Sequence, residues 1–251
     1  MGTTIPPSQV NAYLVRRVIE SLRVECSAAS QVVIKQGSAV GADDGSVVIT
    51  AGSDITVDIT NSGANGLDTG SEAANTWYYI WLIWNSTTST AAGLFSASST
   101  NPTLPSGYDK KRLIGAVRNN SSSNFIEFRQ LGKKVVYGAE ISLFTSDVAT
   151  VSNGGTAISY ASAAPYPIVT ELQLMSYLTP GSNYDQQVWV KHLSSIWQRF
   201  SYGDRYSTFA LTQAIHRDLV VEPNTWVLTF AKQYSDTITL GVLVLGFSLD
   251  I

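Results

Sequence analysis

Eight consecutive large apolar and aromatic residues, Trp77, Tyr78, Tyr79, Ile80, Trp81, Leu82, Ile83 and Trp84, constrain the fold more than any other feature of this sequence. The run has the length of a strand and is far too short to span a membrane. Strand alternation puts Trp77, Tyr79, Trp81 and Ile83 on one face and Tyr78, Ile80, Leu82 and Trp84 on the other. Both faces are apolar, so the segment is expected to be a central strand covered on both sides. Polar turn residues 85–90 follow. Short strands are predicted at 94–97 and 113–117, on either side of a loop punctuated by Pro102 and Pro105. Residues 75–117 therefore read as a β-meander.

The same period of two runs through most of the chain. Residues 54–60 alternate cleanly, with Ile55, Val57 and Ile59 facing a core and Asp54, Thr56, Asp58 and Thr60 facing solvent. Strands are also expected at 31–35 and 46–50, with Asp44-Gly45 favouring a tight hairpin between them. Further strands are expected at 125–130, 133–137 and 141–144. Beyond Gly154-Gly155, which suits a boundary, residues 170–178, 187–193, 208–212, 225–231 and 237–251 read as strands separated by turns. The one amphipathic helix is predicted over 8–22, with Ser8 as N-cap and Val10, Leu14, Val18 and Leu22 as its apolar stripe. It either lies on its own domain or docks onto a partner. The expected architecture is all-β: a helical attachment segment (1–24), an antiparallel meander or sandwich domain (25–151), and a C-terminal β-sandwich or jelly-roll (152–251). No crossover helices exist to support a parallel βαβ fold.

Charged residues are only 14% of the 251, well below the usual ~25%, while 44% are hydrophobic. Such a surface suits durable β-structure and subunit association, because few charges need desolvation. The net charge is −3, and the nearest approach to a basic cluster is Lys110-Lys111-Arg112, so no nucleic-acid partner is expected. A single cysteine, Cys26, precludes an intrachain disulfide and fits assembly in a reducing cytosol. Neither a secretory signal nor membrane insertion is expected.

Catalytic patterns are missing. There is no HExxH, GxSxG, GxGxxG or phosphate-binding loop, and His192 and His216 have no metal-ligand spacing. The chain reads as a non-enzyme with no catalytic, metal or cofactor residues. Binding candidates are the aromatics Tyr184, Trp197, Tyr202 and Tyr206 beside Arg205, which suit sugar platforms, although residues of this kind more often cover the core or a subunit interface. A free carbohydrate-binding module or lectin is one function consistent with them.

The run ITVDITNSGANGLDTGSEAANTWYYIWLIW, followed by GLFSASSTNPTLPSGYDKKRLIGAV, resembles a segment recurrent in tailed-bacteriophage fibre and virion-surface proteins. The matching parts are the alternating strand 55–60, the GANGLDTG loop 63–70, the EAANTWYY strand 72–79, the short strand 94–98, the NPTLPSGY loop 101–108 and the RLIGAV strand 112–117. The two runs together cover about a quarter of the chain. The resemblance implies a virion structural protein, homotrimeric and assembled in the bacterial host cytoplasm. Its partners would be other virion proteins, capsid or tail, reached through the N-terminal segment, and host-surface polysaccharide. Tail fibre, head fibre and fibre-like decoration all remain open. Trp81 and Trp84 depart from the pattern, where smaller residues are expected. Their bulk, with Trp77 and Tyr79, marks them as scaffold or subunit-interface residues.

Overall fold

The aromatic run lies inside a sheet, and the chain on either side supplies its cover. The structure is a computed structural model that describes residues 7–180, 186–191, 198–203, 215–221, 227–232 and 238–251. The architecture is all-β, and its strand pairs are almost all antiparallel. Two compact units are present, Met1–Gly138 together with Ile251, and Ala139–Asp250.

The first unit runs α1 (Pro7–Arg16), β1 (Ile19–Glu20), β2 (Arg23–Ala28), β3 (Gln31–Ile34), β4 (Ala39–Gly41), β5 (Val48–Thr50), β6 (Ile55–Asp58), β7 (Gly66–Leu67), β8 (Trp77–Asn85), β9 (Thr90–Ser96), β10 (Lys110–Arg118), β11 (Phe128–Leu131) and the start of β12 (Lys134–Ser146). One sheet has the order β10-β8-β9-β7, with only β7 and β9 parallel. Another contains β12-β11-β2-β3-β6. A small third sheet is β1-β4-β5.

Strand β8 is buried from Tyr78 to Ile83. Register sets Ile80 opposite Phe95 and Gly115, and Leu82 opposite Gly93. This face meets the β12-β11-β2-β3-β6 sheet. A Cβ on Gly93 would lie 2.1 Å from Val57 Cγ2, so only glycine lets the two sheets approach this closely. Phe95 packs on Phe125 with ring centroids 5.2 Å apart.

The helix stops well short of residue 22. It spans Pro7–Arg16 and opens on proline, whose fixed φ and missing N–H suit a first helical position. Ile19 and Glu20 instead pair with Val40 and Ala39, and Leu22 is fully buried in the core. Strand pairing and burial here outweigh the helical spacing of Val18 and Leu22. The helix lies with its backbone against two glycines. A Cβ on Gly41 would sit 1.6 Å from Val15 O, and one on Gly45 would sit 2.4 Å from Ala12 O. This seating leaves Tyr13 and Leu14 exposed, at 56% and 57%.

Other element boundaries also move. Lys110, Lys111 and Arg112 lie within β10 rather than before it, and Thr90–Gly93 belong to β9. The predicted strands 133–137 and 141–144 merge in β12. Asp44-Gly45 sits in a wider loop, closed by Ala42 N donating to Val47 O, and is not a two-residue hairpin.

The second unit continues with a 3-10 turn (Val151–Asn153), β13 (Thr156–Ser159), β14 (Val169–Pro180), β15 (Gln186–Lys191), β16 (Gln198–Gly203), β17 (Ile215–Val220), β18 (Val227–Lys232) and β19 (Ile238–Leu249). Its strands pair in the orders β17-β14-β19 and β13-β18-β15-β16, all antiparallel. Alternate residues Leu172, Leu174 and Ser176 of β14 are buried, as are Ile238, Leu240, Val242 and Val244 of β19. The Tyr177 ring covers its cross-strand partner Gly241, where a Cβ would meet ring carbon Cζ at 2.0 Å. The predicted strand 208–212 lies outside the described residues.

Candidate functional site

The loops around β8 are held by side chains that bond backbone groups of other loops. Asn65, at φ 60°, donates its N–H to Gly93 O (2.8 Å), and its Oδ1 accepts from Gly93 N (2.9 Å). Asp68 donates its N–H to Phe95 O, and its Oδ2 accepts from Thr103 N at 2.9 Å. The GANGLDTG loop thereby holds the NPTLPSGY loop. On the far side, buried Asn119 donates Nδ2 to Glu72 Oε1 (2.8 Å) and Ala73 O (3.2 Å), which fixes the approach to β8.

These loops also cover the outer face of the aromatic strand. The Trp81 indole N–H donates to Ser98 O at 3.2 Å, and the ring is 2% exposed. Lys111 Nζ lies 5.1 Å from the ring centroid and donates to Thr100 O at 3.2 Å, combining cation–π attraction with a clamp on the loop. Tyr79 is buried beside Trp81, whereas Trp77 and Trp84 at the strand ends are half-buried. Trp81 is covered by its own chain.

The basic triplet and the Asp43-Asp44 pair explain one another. Lys110 Nζ contacts Asp44 Oδ2 at 2.8 Å, and Arg112 Nη1 lies 3.7 Å from Asp43 Oδ1. Desolvation raises the Asp44 carboxyl, but hydrogen bonds from Lys110 and Ser46 outweigh it and bring the pKa down to about 2. Burial pushes Asp43 the other way, against Arg112 and Lys111. A lowered carboxylate stabilises the fold above its unfolded pKa of ~3.9, and that contribution is lost as pH falls through the folded value. Melting curves of wild type and Asp44→Asn are therefore expected to differ at pH 5 and to converge near pH 2. The side chain is half exposed, so screening keeps the difference small.

The aromatic platform expected in the C-terminal half falls mostly on positions with no structural account. Tyr184, Trp197, Arg205 and Tyr206 lie outside the described residues, as does His192. Tyr202 belongs to β16, where its backbone faces Gln187, and His216 belongs to β17, opposite Met175. Among the described residues no group of three or more His, Cys, Asp or Glu is placed to hold a metal ion. The Cys26 thiol lies 3.6 Å from Ile126 O, and burial pushes its pKa up to about 12, so it does not form a reactive thiolate. No helix among the described residues is long and apolar enough to cross a membrane.

No protein-family model matches the chain, and no curated protein matches it. What the chain does has to be read from its own surfaces.

One such surface among the described residues is a groove of about 600 Å³ in the first unit, over the outer face of β12-β11-β2-β3. Cross-strand register sets Arg129 opposite both Glu25 and Val136, and Leu131 opposite both Arg23 and Lys134. Lys35 completes the cationic wall. Leu131 is 67% exposed and Val136 43%, so the groove joins open apolar surface to positive charge. Sequence reading passes over these residues. Each is an ordinary exposed strand position, and they converge only once β2 pairs with the β11-β12 hairpin about a hundred residues further on. The sole local signal is the alternation Arg129-x-Leu131 followed by Lys134-x-Val136 around a two-residue turn.

Proposed function

We propose that the chain is a structural protein of a tailed-bacteriophage virion: a tail fibre, head fibre or fibre-like decoration that works by binding rather than catalysis. Three chains associate. The N-terminal helix and the first β-domain attach to other virion proteins, and the C-terminal β-sandwich is presented to the host, where it contacts surface polysaccharide. The chain assembles in the bacterial cytoplasm and ends on the particle.

The observation that carries this reading is what the phage-like motif residues do. Asn65, Asp68 and the 97–108 loop bond to one another and to β9 and cover Trp81, forming a rigid scaffold with no convergent reactive groups. A part that must survive outside the cell needs such a scaffold. The exposed Leu14, beside a Tyr13 that is held only by Arg17 of the same helix, supports the attachment role, since the helix is seated by its backbone and leaves this apolar face open. Low charge favours association for the same reason.

Light scattering after gel filtration tests the assembly. The expected mass at micromolar concentration is three times that of the 27.1 kDa chain. A clean monomer under those conditions would count against the proposal.

A further inference from the structure

The groove on the first unit has the opposite charge balance to the chain that carries it. The whole sequence has 16 Lys and Arg against 19 Asp and Glu. The groove lining has four cations, Arg23, Lys35, Arg129 and Lys134, against the single carboxylate of Glu25. Lys35 is engaged by Asp54 and lies 3.7 Å from Glu25. Arg23, Arg129 and Lys134 form no ion pair among the described residues. Arg23 also lies in the field of Asp54 and donates to Gln36 O, which leaves Arg129 and Lys134 on β11 and β12 as the least compensated charges, and together the cations make a local field that attracts anions.

From this geometry we infer that the groove binds an acidic polysaccharide carrying carboxylates along its chain. Two of the groove cations, Arg23 and Arg129, are arginines, whose planar forks match carboxylates bidentately. Arg23 and Lys134 face each other across Leu131, two strand spacings (~10 Å) apart, and Arg129 lies on the diagonal to both, so anionic groups recurring along an extended chain can meet them in turn. Leu131 and Val136 offer the C–H faces of those rings an apolar floor between the charges. No aromatic ring lines the groove, which disfavours single-stranded nucleic acid, because its bases need a stacking partner. The site is concave, which a lipid surface does not fill. The proposed host-glycan contact supplies the biological setting, but the site is located here in the N-terminal unit and the ligand is specified as anionic.

Polygalacturonate, with neutral dextran as control, tests this by titration calorimetry on the full chain. Wild type is expected to bind polygalacturonate and not dextran, with affinity falling as salt rises. Arg129→Glu combined with Lys134→Glu is expected to weaken binding by about tenfold or more. Glu25→Gln is expected to tighten it by about threefold, a gain that misfolding cannot produce. Melting temperatures check that the variants fold. The inference is overturned if wild type ignores polygalacturonate, if the charge-reversal variant binds as well as wild type, or if only anionic vesicles or single-stranded DNA bind. The outcomes separate from the fibre reading. A monomer that binds polygalacturonate keeps the groove and sinks the fibre, and a silent trimer does the reverse.

Discussion

Trp81→Ala is expected to destabilise the first unit by about 3–5 kcal/mol, the range for deleting a large buried aromatic side chain. Trp81 is 2% exposed, and its removal would lose three things together: ring packing, the indole bond to Ser98 O and the Lys111 contact. The 97–108 loop would lose one of its anchors on the sheet, keeping those from Asp68 and Lys111. Trp84→Ala, at a half-buried strand end, is expected to cost clearly less. Urea unfolding of both variants, compared with wild type, measures the difference. Equal costs at the two positions would mean that Trp81 is not the centre of the packing described here.

Asp147→Ala is the second large expected effect, at about 2–4 kcal/mol, and it is confined to the second unit. Asp147 accepts from Lys232 Nζ at 2.7 and 2.6 Å, from Ile238 N at 3.1 Å and from Val148 N at 3.0 Å. Desolvation acts against its charge, yet the bonds from Lys232 and Ile238 prevail and hold the carboxyl below its ordinary value. Lys232 is 5% exposed. Removing the carboxylate strands a nearly buried ammonium, and that isolated charge is the larger part of the cost. The double variant Asp147→Ala with Lys232→Met is therefore expected to regain much of the loss. A double-mutant cycle on thermal unfolding reads the coupling directly, and simple additivity of the two changes would refute it.

The aromatic strand is legible in the sequence because its two apolar faces admit only a covered central position. The alternation of Ile55, Val57 and Ile59 is legible for a similar reason, although strand β6 itself ends at Asp58. The end of the helix is not legible. Val18 and Leu22 keep helical spacing with Leu14, and only pairing with β4 and burial of Leu22 decide against it. The roles of Asn119 and Gln130 are equally hidden. Both are polar residues that become buried, Gln130 donating Nε2 to Ile114 O at 2.6 Å, and local sequence gives no reason for this. The Asp43-Asp44 and Lys110-Lys111-Arg112 clusters each resemble solvated turn or strand-end charge until register brings them together. The groove is the extreme case, because its cations come from three strands and share a face only through pairing.

The proposed role makes this chain part of a virion surface. Electron microscopy of purified particles, labelled with gold-conjugated antibody against the chain, addresses it most directly. The account predicts label at defined positions on the outside of intact particles, at a fibre or at the capsid or tail surface. Particles without label, from infected cells that contain the protein in soluble form, would contradict it.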